Sequence, residues 1–341
     1  MISKELKTIL LSKRILKEDP FERVWIDEYF SEILEGMQIS GMELLICNTL
    51  QRRTSYSVVN GKPIIIFDNY LLELFAVLNQ LLEDINGEEK IQLLFYKIAW
   101  ESFYINENYQ FAAIYKMIAK QKFKQIGNIQ MRQISKTSEP RYSYVQQVFL
   151  ISHEVMHCYF QQSKESYEEQ KQIMEELLYR FLGEKFETIY LNISETYKEE
   201  YCCDHLAVYT ALHIGIKEYG NSIENSAIAI VLAMYHQYII LCIDKWVQGK
   251  LVSVDAKEFE VRMSFIRFFV SNYLKVEYPK IAKEINTKID EKYNLWKIRC
   301  MNQIVHFLIN EKKAYSYYES HYQFQESELE QIKKDIYKSF L

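Results

Sequence analysis

Along most of the chain the apolar residues recur every three or four positions. Between 69 and 85 they fall at Leu71, Leu74, Phe75, Leu78, Leu81 and Leu82, one face of a helix, and Asp68 stands where it can cap that helix. The same spacing predicts helices over 4–17, 22–36, 88–123 (broken near Asn106–Asn108), 143–162, 165–182, 190–218, 222–247, 257–274, 279–310 and 326–340. One region differs. Met42–Cys47, Ser55–Val59 and Pro63–Phe67 are short runs rich in β-branched and aromatic residues, and Asn60-Gly61 between the last two is a strong hairpin signal. The pattern therefore predicts a predominantly helical α+β chain with a small antiparallel sheet near residues 42–68.

The chain has only 4 Pro and 9 Gly in 341 residues, which fits long helices joined by short connections. Gln125–Arg141 is the clearest loop, and no internal repeat or linker divides the sequence. One domain over 1–341 is expected, with N-terminal helices and sheet in 1–87, a helical core in 88–250 and a helical extension in 251–341. The Tyr-rich stretch Ala314–Phe324 is expected to pack the last helix onto the body, or else to face a partner.

Charge and cysteine usage narrow the setting. A net charge of −5 gives no basic footprint, so no nucleic-acid partner is expected. Six scattered cysteines without a C-x-x-C read as small buried side chains, not a disulfide framework. The first 20 residues carry charges every few positions and lack the apolar core of a secretory signal, so a cytoplasmic location is expected. Ser226–Ile243 runs 18 residues without Asp, Glu, Lys or Arg, at the lower limit for a membrane span. His236, Gln237, Tyr235 and Tyr238 sit mid-segment, where lipid would penalise them. A buried core helix is the expectation, and no membrane partner.

The chemistry concentrates in Tyr142–Gln162. It contains His153-Glu154-Val155-Met156-His157, an H-E-x-x-H. On a helix, positions i and i+4 share a face, so two imidazoles at this spacing reach one metal ion. Glu154 lies about 100° around the helix and can take a proton from a metal-bound water. Val148 to Ile151, Val155, Met156 and Cys158 are uncharged, so the helix is buried. A buried Glu beside two histidines is costly without a cation. The alternative is a pair of core histidines satisfied by their neighbours.

A catalytic zinc site needs a third protein ligand and one open position. The segment after His157 has Phe160 and Ser163 where a metzincin has Gly and His, so the ligand must come from elsewhere. Glu200-Tyr201-Cys202-Cys203-Asp204-His205-Leu206-Ala207 offers it. Glu200 and Asp204 are again i and i+4; the first can ligate, and the second can orient a ligating histidine through its other ring nitrogen. His205 is an alternative ligand, turned about 100° from Asp204.

H-E-x-x-H followed by E-x-x-x-D on a later helix resembles the gluzincin, or thermolysin-like, zinc metallopeptidases. The order and size also resemble the phage-exclusion Lit-type peptidases, closely over 145–162 and 195–208, and more distantly the peptidases attached to bacterial gene regulators. The resemblance implies a zincin-like domain, Zn2+ held by His153, His157 and Glu200, Glu154 as general base and Asp204 as partner of His153. It further implies a protein or peptide substrate lying along an edge strand, for which Pro63–Phe67 is the candidate. The 43-residue gap from His157 to Glu200 leaves room for the inserted helix 165–182. Integral-membrane members carry an Arg after this helix, and Arg262 holds a similar place, although the His-Pro that usually precedes it is missing at Ser253–Lys257.

The donor that steadies a tetrahedral intermediate is left open between His236, His213, Arg262 and several tyrosines; His306 and His321 read as surface or packing residues. Three functions follow: an intracellular metallopeptidase hydrolysing peptide bonds, a zinc-stabilised regulatory or binding protein whose protease-like site is gated or inactive and answers to a partner, or a membrane-embedded protease that uses the 226–243 helix.

Overall fold

A computed structural model describes residues 24–47, 51–83, 87–126, 140–190, 192–217, 222–249, 252–321, 324–331 and 334. The expected helix 4–17, most of 326–340 and the body of the 125–141 loop lie outside the described residues. Helix α1 (Val24–Gly36) precedes strands β1 (Glu43–Cys47), β2 (Ser55–Val59) and β3 (Lys62–Asp68). Ten helices follow up to His321: α2 (Asn69–Glu83), α3 (Glu88–Ile105), α4 (Tyr109–Ile126), α5 (Pro140–Gln162), α6 (Lys164–Leu182), the short α7 (Phe186–Ile189), α8 (Glu195–Lys217), α9 (Ile223–Val247), α10 (Val252–Glu277) and α11 (Ala282–His321), and residues 326–331 are helical as well. The protein is thus a predominantly helical α+β fold. The break at Asn106–Asn108 falls as the sequence predicts, while α11 continues through most of the Tyr-rich stretch to His321.

The hairpin forms on Asn60 and Gly61, both in the left-handed region at φ 53° and 75°, as a two-residue primed turn requires. The third strand corrects the expectation of a purely antiparallel sheet. The order is β1-β3-β2, with β2 antiparallel to β3 and β1 parallel to it. β3 carries the run Ile64-Ile65-Ile66-Phe67, buried on both faces, and such a strand belongs in the centre. For the same reason Pro63–Phe67 is not the edge strand; the edge beside α5 is β2. At the end of β3, Asp68 caps α2, its Oδ1 accepting from Tyr70 N at 2.9 Å.

One continuous apolar cluster runs from Phe30 to Phe307, built around α9. Helix α9 is long and apolar enough to cross a membrane, yet protein covers nearly all of it, with Ala227, Ala229, Ile230, Ala233, Ile239 and Ile243 fully buried. All six cysteines are free and buried. Helix α5 ends because Ser163 turns extended at φ −135° and caps α6, accepting from Ser166 N at 3.2 Å. Gly215 on α8 lets three helices approach closely: a Cβ there would stand 2.9 Å from Val145 Cγ2 on α5 and 3.2 Å from Ser226 Oγ on α9. This contact sets α8 against α5 along the face that carries the histidines.

Candidate metal centre

Helix α5 brings His153 and His157 one above the other, with their Nε2 atoms 3.2 Å apart. Helix α8 supplies Glu200 from the opposite side. Its Oε2 lies 3.4 Å from His153 Nε2, and its Oε1 lies 3.3 Å from His157 Nε2. Among the described residues this is the group of His, Cys, Asp and Glu side chains close enough to share one ion.

The far nitrogens explain why the near ones converge. His153 Nδ1 is 2.9 Å from Asp204 Oδ1, and His157 Nδ1 is 3.0 Å from Glu199 Oε1. Each carboxylate favours a proton on the Nδ1 it faces, which leaves both Nε2 atoms as bare lone pairs. Two lone pairs and a carboxylate then point at one another in a half-buried space, an arrangement that repels itself unless a cation sits among them. The spacing is compatible with a small divalent ion. Ligand atoms about 2.0–2.1 Å from a tetrahedral zinc lie about 3.3–3.4 Å from each other; here the two Nε2 atoms stand 3.2 Å apart, and each faces a different Glu200 oxygen at 3.3–3.4 Å. Charge agrees too: Glu154, Glu199, Glu200 and Asp204 against Arg262 leave an excess of negative charge that a divalent ion offsets. The donor set, two imidazoles and a carboxylate, fits zinc.

Compared with protein-family models, curated proteins and solved structures, the chain matches none. Its chemistry therefore has to be read from the geometry.

Arg262 on α10 closes the far side. Its Nε and Nη2 donate to the two oxygens of Asp204 at 2.6 and 2.8 Å, and Nη2 lies 3.1 Å from Glu200 Oε2. With a proton as the only cation, burial works against the charged form of His153, but Asp204 and Glu200 outweigh it and push its pKa up to about 10. Burial would raise the Glu200 carboxyl; its bonds to His153 and His157, with Arg262 beside it, hold it well below the usual carboxylate range. Asp204 is likewise lowered, against its burial, chiefly by Arg262.

The centre opens onto a cavity of about 480 Å³ whose walls include His153, Glu154, Glu200, Tyr201, Tyr238 and Arg262. Glu154 faces this space beside the ligands, and its Oε2 accepts from Tyr56 N on β2 at 2.8 Å. At the other end Arg52, buried and held in the left-handed region at φ 52°, pairs with Asp244 and with Glu101 and donates to Ser102 Oγ at 2.6 Å. The cavity is therefore walled by both signs of charge, each largely paired.

The remaining sequence candidates separate clearly. Arg262 stands at the site. His236 does not: it is fully buried in the core, its Nε2 lies 2.8 Å from Asn79 Oδ1, and its ring meets Phe75 and Trp296 edge-on. Burial pushes its pKa down to about 3, so it stays neutral, and it is not part of the cavity wall. His205 turns away as its helix position predicts, with Nδ1 2.6 Å from Gln170 Nε2. His213, His306 and His321 are exposed elsewhere.

Sequence reading missed Glu199 and the Arg52 group. Glu199 had a signal, since consecutive glutamates on a helix facing two histidines can serve one each. The partners of Arg52, by contrast, lie 49 and 192 positions away in sequence and carry no local pattern.

Proposed function

We propose that the protein is a zinc-dependent metallopeptidase of gluzincin type, acting on a peptide bond of a protein or peptide substrate. The observation that carries this reading is the convergence of His153 Nε2 and His157 Nε2, 3.2 Å apart, on the Glu200 carboxylate, whose Oε2 and Oε1 lie 3.4 and 3.3 Å from them in turn, beside the carboxylate of Glu154 at an open cavity. A zinc ion at those ligands supplies an electrophile for a carbonyl oxygen and acidifies water toward a pKa of about 7. Glu154 takes the proton as the water oxygen adds to the carbonyl carbon, then gives it to the amine nitrogen as the C–N bond breaks. Asp204 and Glu199 hold the two imidazoles in the tautomer that leaves Nε2 bare. Arg262 balances Glu200 and Asp204.

The outer edge of β2 supports an extended substrate. Tyr56 N–H points from that edge toward Glu154. A peptide chain that adds to β2 takes this N–H and releases Glu154 for the water. The same bond supports the second reading, a gated regulatory protein, because without such a strand the base stays occupied.

The test is Glu154→Gln with a quenched-peptide library and denatured protein as substrates. The account expects chelator-sensitive cleavage by the wild type, a loss of at least a thousandfold in the variant, and unchanged zinc content. Zinc-replete wild type that cleaves none of them would favour the gated reading, and cleavage by the variant equal to wild type would remove Glu154 from its role.

A further inference from the structure

Helix α11 has two apolar faces, and among the described residues only one packs into the core. Ile289, Tyr293, Trp296, Cys300, Ile304 and Phe307 pack into the core. At 3.6 residues per turn the opposite face carries Leu295, Ile298, Asn302, Val305 and Ile309. These positions are spaced three, four, three and four, the repeat of a coiled-coil seam. The four apolar members are 50%, 62%, 47% and 53% exposed, and Asn302 between them is also exposed. A solvated helix face places charges at such positions; singly scattered exposed apolar residues need no explanation, but a continuous stripe does.

We infer that this stripe is a self-association surface, and that a second copy of the chain covers it. The spacing favours a copy over an unrelated partner. Asn302 stands at the middle of the run, seven residues from Leu295 and seven from Ile309. A twofold axis through it pairs Asn302 with Asn302 and sets each apolar half against the other, the self-complementarity that an isologous contact demands. A lone Asn in an apolar seam is the device that fixes register, because its amide finds a partner only in the matched alignment. In sequence the seam is bounded by Glu291 before it and Lys312 after it. Antiparallel copies bring these opposite charges together, whereas parallel copies would oppose like charges. The seam spans about 21 Å at about 1.5 Å per residue, which places the contact at the small end of specific interfaces. The dimer therefore forms in a concentration-dependent way.

Sedimentation equilibrium on the full chain over a wide concentration range tests this. Wild type should move from 41.0 kDa toward twice that mass as concentration rises. Ile298→Glu and Val305→Glu should stay monomeric throughout, with helix content and melting temperature of dilute samples unchanged, since both side chains are exposed. Asn302→Ile should lower the dissociation constant at least tenfold or raise the oligomer order, because it removes the polar penalty and the register constraint together. A wild type that stays monomeric at every concentration overturns the inference, as does a dimer that survives Ile298→Glu. Monomeric wild type that is destabilised by Ile298→Glu also overturns it, and shows the stripe to be covered by the chain itself.

Discussion

His153 and Asp204 meet across the α5–α8 contact, Nδ1 to Oδ1 at 2.9 Å, while Arg262 grips the same carboxylate from behind. Asp204 is buried and links one ligand histidine to a fixed cation on a third helix. Glu199 serves His157 in a looser setting, with a side chain 35% exposed.

The two carboxylates should therefore differ in weight. Asp204→Asn keeps the shape and loses the charge, and zinc affinity should fall about 10–100-fold. Asp204→Ala also takes away the two-point partner of the Arg262 guanidinium and leaves it Glu200 alone, and removing one partner of a buried pair costs up to about 3–5 kcal/mol. Glu199→Gln should cost less than tenfold in affinity and leave the melting temperature near that of wild type. Competition titration with a zinc chelator and thermal melts read both. Equal effects at the two positions would contradict the assigned geometry.

Stability should fall with rising pH in the metal-free protein and stay nearly flat above about pH 6.5 in the zinc form. Without metal, the pKa of His153 rises from 6.5 in the unfolded chain to about 10 in the fold. Its contribution is then fully present below about pH 6.5 and is lost as pH climbs toward 10. With zinc the imidazole must bind without that proton, so affinity increases with pH over the same window, by up to about tenfold per unit for each proton released. Thermal melts with chelator and with zinc, from pH 6 to 9, should converge at low pH and diverge at high pH. Parallel curves would show that no ligand proton is displaced.

Gly215 tests how α8 is seated against α5. Alanine gains about 1 kcal/mol in helix propensity over glycine. Here its methyl would lie 2.9 Å from Val145 Cγ2 and 3.2 Å from Ser226 Oγ, and overpacking costs about 1–3 kcal/mol. The clash should win. Gly215→Ala should lower the unfolding midpoint and weaken zinc binding, since Glu200 rides on the displaced helix. A stabilised variant with unchanged affinity would contradict this.

The elements set by local spacing were legible in the sequence: the helices among the described residues, the Asn60-Gly61 turn, and the i, i+4 pairs His153/His157 and Glu200/Asp204. What was not legible depended on contacts far apart in the chain. The pairing of β1 with β3 is decided by which strand can be buried on both faces, and β3 wins that place through Ile64 to Phe67. His236 looks exceptional in an apolar helix, but Asn79, 157 positions earlier, satisfies one of its nitrogens. Arg262 could be named from the sequence, whereas its grip on both Asp204 and Glu200 needed the approach of α10 to α8.

The most direct test is the metal content, by mass spectrometry, of protein purified without added metal, beside Glu200→Ala. The account predicts one zinc per chain in the wild type and its loss, or a weakening of at least a hundredfold, in the variant, with helix content retained. Wild-type protein that holds no divalent ion even after zinc is supplied would contradict the account, because His153, His157 and Glu200 would then not share an ion.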